Sequence, residues 1–76
     1  MNDRTLRILE AAVRDYIARG VPVSSEDLFD RYDFGIKPAS IRAELLRLTD
    51  DGFLRQLHTS GGRVPTEEGY QLLVSH

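Results

Sequence analysis

Seventy-six residues suffice for one domain, and without a single cysteine that domain is held together neither by disulfides nor by a thiolate metal site. A hydrophobic share of 41% and a charged share of 29% are those of a soluble globular chain; no apolar run approaches the ~18 residues of a membrane span, and Met1-Asn2-Asp3-Arg4 does not open a signal peptide, so a cytoplasmic protein without a membrane partner is expected. The net charge of −2 argues mildly against a polyanionic partner, but the charges are uneven: only residues 37–63 are net basic, with Lys37, Arg42, Arg47, Arg55 and Arg63 against Glu44, Asp50 and Asp51, so a phosphate-facing surface has to lie there.

Leu6, Leu9, Val13, Tyr16 and Ile17 recur at helical spacing and predict a first helix over residues 3–19, capped by Asn2 and stopped by Gly20. Val21-Pro22-Val23 is extended, because proline bars a helix and biases its predecessor toward β. Ser24 or Ser25 caps a second helix, with Glu26 and Asp27 in its first turn and Leu28, Phe29 and Tyr32 as its apolar side. A tight connection through Gly35 leads to Pro38, which suits the first turn of a third helix. Ile41, Leu45 and Leu48 form that helix's buried stripe, and Gly52 ends it.

Two helices joined by about five residues containing a glycine have the form of a helix-turn-helix. Phe53–Leu57 reads as a strand, His58–Gly62 as a polar turn and Arg63-Val64-Pro65 as the return strand of a hairpin. Thr66 then caps a last helix whose Tyr70, Leu73 and Val74 are expected to face the core. A hairpin following the third helix makes this a mainly α chain with a small β-hairpin: a winged helix-turn-helix, with a three-helix core, a wing and a C-terminal helix, in one domain over residues 1–76.

An inward stripe at 41, 45 and 48 turns Ala39, Ser40, Arg42, Ala43, Leu46 and Arg47 outward or sideways. An α-helix fits the DNA major groove, where Arg42 can pair with a guanine edge or a phosphate, Ser40 can bond either, and Ala39 and Ala43 allow close approach. The positive helix end near Lys37, Pro38 and Ala39 favours a phosphate. At the hairpin tip, His58, Thr59, Ser60 and Arg63 gather around Gly61 and Gly62, a set suited to phosphate or minor-groove contact. On composition alone, Arg42 and Arg47 can equally be solubilising charges, and the tip a hydrophilic loop.

Catalysis finds little support. His58 near Ser60 lacks a third group to orient the pair. Asp50-Asp51 and Glu67-Glu68 are neighbours that do not face one another on a helix. Gly61-Gly62 lacks the lysine and helix start of a P-loop. No enzyme, metal or cofactor is expected. The aromatics Tyr16, Phe29, Tyr32, Phe34, Phe53 and Tyr70 read mostly as core packing. A second reading, motivated by the acidic balance, Ala43 and Leu46, is a winged helix that docks to protein.

The segment His58-Thr59-Ser60-Gly61-Gly62-Arg63-Val64-Pro65-Thr66, followed by Gly69-Tyr70, resembles the wing of the HrcA family of heat-inducible repressors, which reads H-T-S-A-G-R-I-P-T and then G-Y. Ile8-Leu9-Glu10-Ala11, Asp15-Tyr16-Ile17, Gly20-Val21-Pro22-Val23, Ser25 and Pro38-Ala39-Ser40-Ile41-Arg42 resemble the family's opening helix, turn and recognition-helix start. The resemblance runs along nearly the whole chain. It implies a bacterial transcriptional repressor of the heat-shock, chaperone-operon type, of which this would be the N-terminal winged-helix part. It further implies a homodimer of the longer protein, an inverted-repeat operator in double-stranded DNA, and regulation by a chaperonin. It carries Ser25, Pro38, Ala39, Ser40, Ile41, Arg42, His58–Gly62 and Arg63 over as family-like.

Departures mark a divergent member. Ala43 stands where the family usually has Asn, a side chain able to read adenine. Lys37 replaces a capping Ser, Glu26 a basic residue, Ser24 a Gly, Arg47 an acid and Leu57 a Pro. Glu68 and Gln71 replace basic residues of the last helix.

Overall fold

Six elements follow one another in the computed structural model, which describes residues 1–58 and 61–75: α1 (Asp3–Arg19), α2 (Ser25–Arg31), α3 (Pro38–Asp50), β1 (Leu54–Gln56), β2 (Arg63–Pro65) and α4 (Glu67–Ser75). The local signals account for their limits. Asn2 caps α1 by accepting from the Thr5 amide, and Gly20 closes it in the left-handed conformation. Ser24, rather than Ser25, caps α2 through the Asp27 amide. Pro38 opens α3, and the Thr66 hydroxyl accepts from the Gly69 amide at the start of α4.

β1 and β2 pair antiparallel, with Leu54 opposite Pro65, Arg55 opposite Val64 and Gln56 opposite Arg63. Val23 adds a single bridge on the outer side of β2, its amide and carbonyl both bonded to Arg63 at 2.8 and 2.9 Å. The extended stretch read from Pro22 is therefore the anchor of the wing. Gly62 lies against Pro22 at this junction, where a Cβ would come within 2.6 Å of the proline Cβ.

Ile8, Leu9, Ala12, Val13, Val23, Leu28, Ile41, Leu45, Leu48 and Leu54 fill the centre. The stripe of α3 is as expected, all three residues being fully buried. The stripe of α1 is borne out at Leu9 and Val13, which are buried, but it is wider and shifted: Thr5, Ile8, Ala11, Ala12 and Asp15 are buried with them, Leu6 and Tyr16 are half-buried, and Ile17 is exposed. Phe29 is exposed as well. On α4 the expected inward Tyr70 and Val74 face outward. Gly69 sets that face, since it sits directly on the Phe53 carbonyl, and Leu72 and Leu73 follow it inward at i+3 and i+4.

Two buried acids tie the helices together. Glu44 accepts from Thr5 Oγ1 at 2.9 Å and from Arg4 Nε at 2.9 Å, joining α3 to α1. Asp15 meets Arg19 at 3.2 Å and Arg31 at 3.8 Å, and Arg19 also reaches Asp27. No buried side-chain nitrogen or oxygen among the described residues lacks a hydrogen-bond partner. No described helix is long and apolar enough to cross a membrane.

Candidate nucleic-acid interface

The outer face of α3 is a continuous stripe. Ala39, Arg42, Ala43 and Leu46 recur at i, i+3, i+4 and i+7, all exposed, opposite the buried Ile41–Leu45–Leu48 stripe. Arg42 stands in the middle with its side chain 65% exposed, and it donates from Nη2 to Glu26 Oε1 at 3.2 Å. Small residues on either side leave its guanidinium proud of the surface.

Beside Arg42 lies an open cleft of about 260 Å³, lined by Ser24, Ser25, Glu26, Arg42, Gln56, Gly61 and Arg63. The start of α2, the middle of α3 and the root of the hairpin thus share one side of the molecule. Turn geometry fixes the hairpin root: the Leu57 amide donates to the Gly62 carbonyl and the Gly61 amide to the Leu57 carbonyl, with Gly61 at φ 71°.

The other residues predicted for the site differ in exposure and in position. Arg63, expected to grip DNA backbone, is only 9% exposed. Its main chain is locked to Val23, and its Nε donates to Thr49 Oγ1 at 2.9 Å, whose hydroxyl donates in turn to the Leu45 carbonyl. Burial is the main influence lowering its guanidinium pKa, followed by the like charge of Arg42; Asp50 acts in the opposite direction. The reason is positional: Val23 on one side and Gln56 on the other hold the Arg63 backbone, and its side chain lies against α3 at Thr49. Gly62, expected at an open tip, is buried against Pro22. Ser25 is buried too, although it lines the cleft.

Arg47 lies about 140° around α3 from Arg42 and borders a different cleft, with Met1, Asn2, Thr5, Asp51, Phe53 and Leu72. Ser40 is half-buried and about 160° from Arg42. Lys37 and Pro38 flank the α2–α3 turn beside the stacked rings of Tyr32 and Phe34. His58 is exposed. Thr59 and Ser60 lie outside the described residues.

Sequence reasoning did not place Glu26, Ser24 or Gln56 in this site. No local signal singled out Glu26: of the two acids in the first turn of α2, Asp27 meets Arg19 of α1 and only Glu26 meets α3. Its carboxyl is held below the usual range, mainly by a hydrogen bond from its own backbone N–H. Slight burial opposes this and Arg42 reinforces it.

No family model matches the chain. It is 50% identical over 74 residues to the heat-inducible transcription repressor HrcA of Natranaerobius thermophilus, and 46% identical over 76 residues to that of Alkaliphilus metalliredigens. These alignments cover 97% and 100% of the chain but only 22% of each relative, so the chain spans about a fifth of their length. Among solved structures, one described only as a hypothetical protein at 2.2 Å resolution superposes with a TM-score of 0.89 at 34% identity, covering 99% of this chain and 25% of that one.

Proposed function

The chain belongs to the HrcA family of heat-inducible transcription repressors, and we propose that it forms the DNA-reading winged helix of such a repressor, acting by binding and not by catalysis. The observation that carries this reading is that exposed Arg42 and the hairpin root line the same cleft. One duplex can therefore meet the outer face of α3 and the wing together. In this reading Ala39, Arg42 and Ala43 enter the major groove, with Arg42 on a guanine edge. The α3 start near Lys37 and Pro38, together with exposed His58 and Gly61 of the hairpin, meets flanking phosphates. In the longer repressor these residues occupy the N-terminal portion, and a two-fold dimer would match an inverted repeat.

Titration of labelled duplex at several salt concentrations tests this. A single module should bind in the nonspecific range of ~10⁻⁴–10⁻⁶ M, and neutralising about three phosphates gives a slope near −3 in log K against log salt. A flat response overturns the reading. It would favour protein docking instead, the alternative motivated by Leu46, which is 51% exposed on the same face as Arg42.

A further inference from the structure

We propose that Glu26 is a specificity-determining residue of this surface: it restrains Arg42, withholding the guanidinium from phosphates while leaving its remaining N–H donors for a base edge. The proposal rests on the DNA-binding reading above. The contact crosses from α2 to α3 over 16 residues, with Arg42 Nη2 at 3.2 Å from Glu26 Oε1. Glu26 is well placed to hold position, because Ser24 Oγ caps the Asp27 amide and fixes the first turn of α2.

The charges of the cleft explain what the contact does. Its lining residues include two cations, Arg42 and Arg63, and one anion, Glu26. The cations are close enough for Arg42 to disfavour the charged form of Arg63. Glu26 offsets this repulsion and leaves the cleft with a net charge of one. A phosphate approaching Arg42 meets the Glu26 carboxylate at the same place and is repelled by it. A guanine edge presents neutral acceptors and meets no such penalty. Arginine has five N–H donors in a planar fork, and one bond to Glu26 leaves the others available. Both partners are 65% exposed, so the contact is weak and can be outcompeted. Glu26 therefore biases Arg42 toward bases without immobilising it.

The experiment compares the 76-residue chain with E26Q on a 24-base-pair duplex of randomised sequence. At 50 mM salt E26Q should bind about 3–10-fold more tightly, and its salt slope should steepen by about 0.9, the signature of one additional phosphate. Selection from the same randomised pool should yield a blunter base preference. In an R42Q background the E26Q change should shift affinity by less than about twofold, since the effect runs through Arg42. E26S, compatible with a helix first turn, replaces E26Q should that variant fail to fold. Equal affinity and slope for wild type and E26Q overturn the inference, as does an undiminished gain in the R42Q background. Failure of the wild type to bind any duplex overturns the DNA reading itself.

Discussion

Arg42 and Arg63 are both arginines of the basic middle segment, both border one cleft, and they belong to different parts of the molecule's physics. Arg42 projects from the outer face of α3, with a weak contact to another exposed side chain. Arg63 is enclosed at the hairpin root, its backbone paired with Val23 and its guanidinium bonded to Thr49. Strand position makes the difference. The bridge from Val23 takes up the main chain of Arg63, and its side chain turns onto α3 at Thr49. An arginine in a wing motif can thus be a structural fastening that joins the hairpin to α3 and to the segment after α1.

The sharpest way to break this contrast is Arg63→Ala. Losing a buried, charge-assisted hydrogen bond and the packing of its stem should cost about 2–3 kcal/mol. Urea denaturation followed by circular dichroism measures it. Arg63→Lys should recover little, because a lysine ammonium does not reproduce the Nε geometry toward Thr49. Should Arg63→Ala unfold at the wild-type midpoint, the hairpin root is not fastened in this way, and Arg63 returns to the surface it shares with Arg42.

The order of elements was readable because each boundary has a local cause. Asn2, Gly20, Pro38 and Thr66 act within a few residues of themselves, and the Ile41–Leu45–Leu48 stripe follows helical period. What escaped depends on contacts between distant segments. Nothing near Arg63 says that Val23 will pair with it, and nothing near Gly69 says that the Phe53 carbonyl will lie beneath it. The buried acids show a missed signal instead. Glu44 sits at i+3 from Ile41 and Asp15 at i+3 from Ala12, positions on the inward face, yet neither is among the residues expected in the core. The Arg42 face was legible as the complement of the buried stripe, whereas its neighbour Glu26 needed the packing of α2 on α3.

The same contrast is repeated around α3 itself, between inward Glu44 and outward Arg42. Burial pushes the Glu44 carboxyl up, but the hydrogen bonds from Thr5 and Arg4, with the charges of Arg4 and Arg47, outweigh it and leave it below its ordinary value of 4.5. A carboxyl lowered in the folded state adds stability that is fully present above the unfolded value and is lost as pH falls through the folded one. Denaturation midpoints of the wild type should therefore decline more steeply than those of Glu44→Gln as pH drops from about 5 toward 3. Near neutral pH that variant should be less stable by about 1 kcal/mol. Parallel curves for the two proteins would mean that the α1–α3 junction does not depend on the charge of Glu44.

Arg42→Ala has the smallest expected effect on folding, and that is its value. Its side chain is 65% exposed and its hydrogen bond runs to an equally exposed Glu26, so the urea midpoint should stay at the wild-type position. Binding should behave oppositely: affinity for mixed duplex should fall, and any base preference recovered by selection should relax. An arginine that matters to the fold moves both measurements together, as Arg63 is expected to do. One that matters to recognition moves only the second. If Arg42→Ala lowered stability as much as Arg63→Ala, the cleft would be a single structural unit, and the outer face of α3 would have no separate claim to the groove.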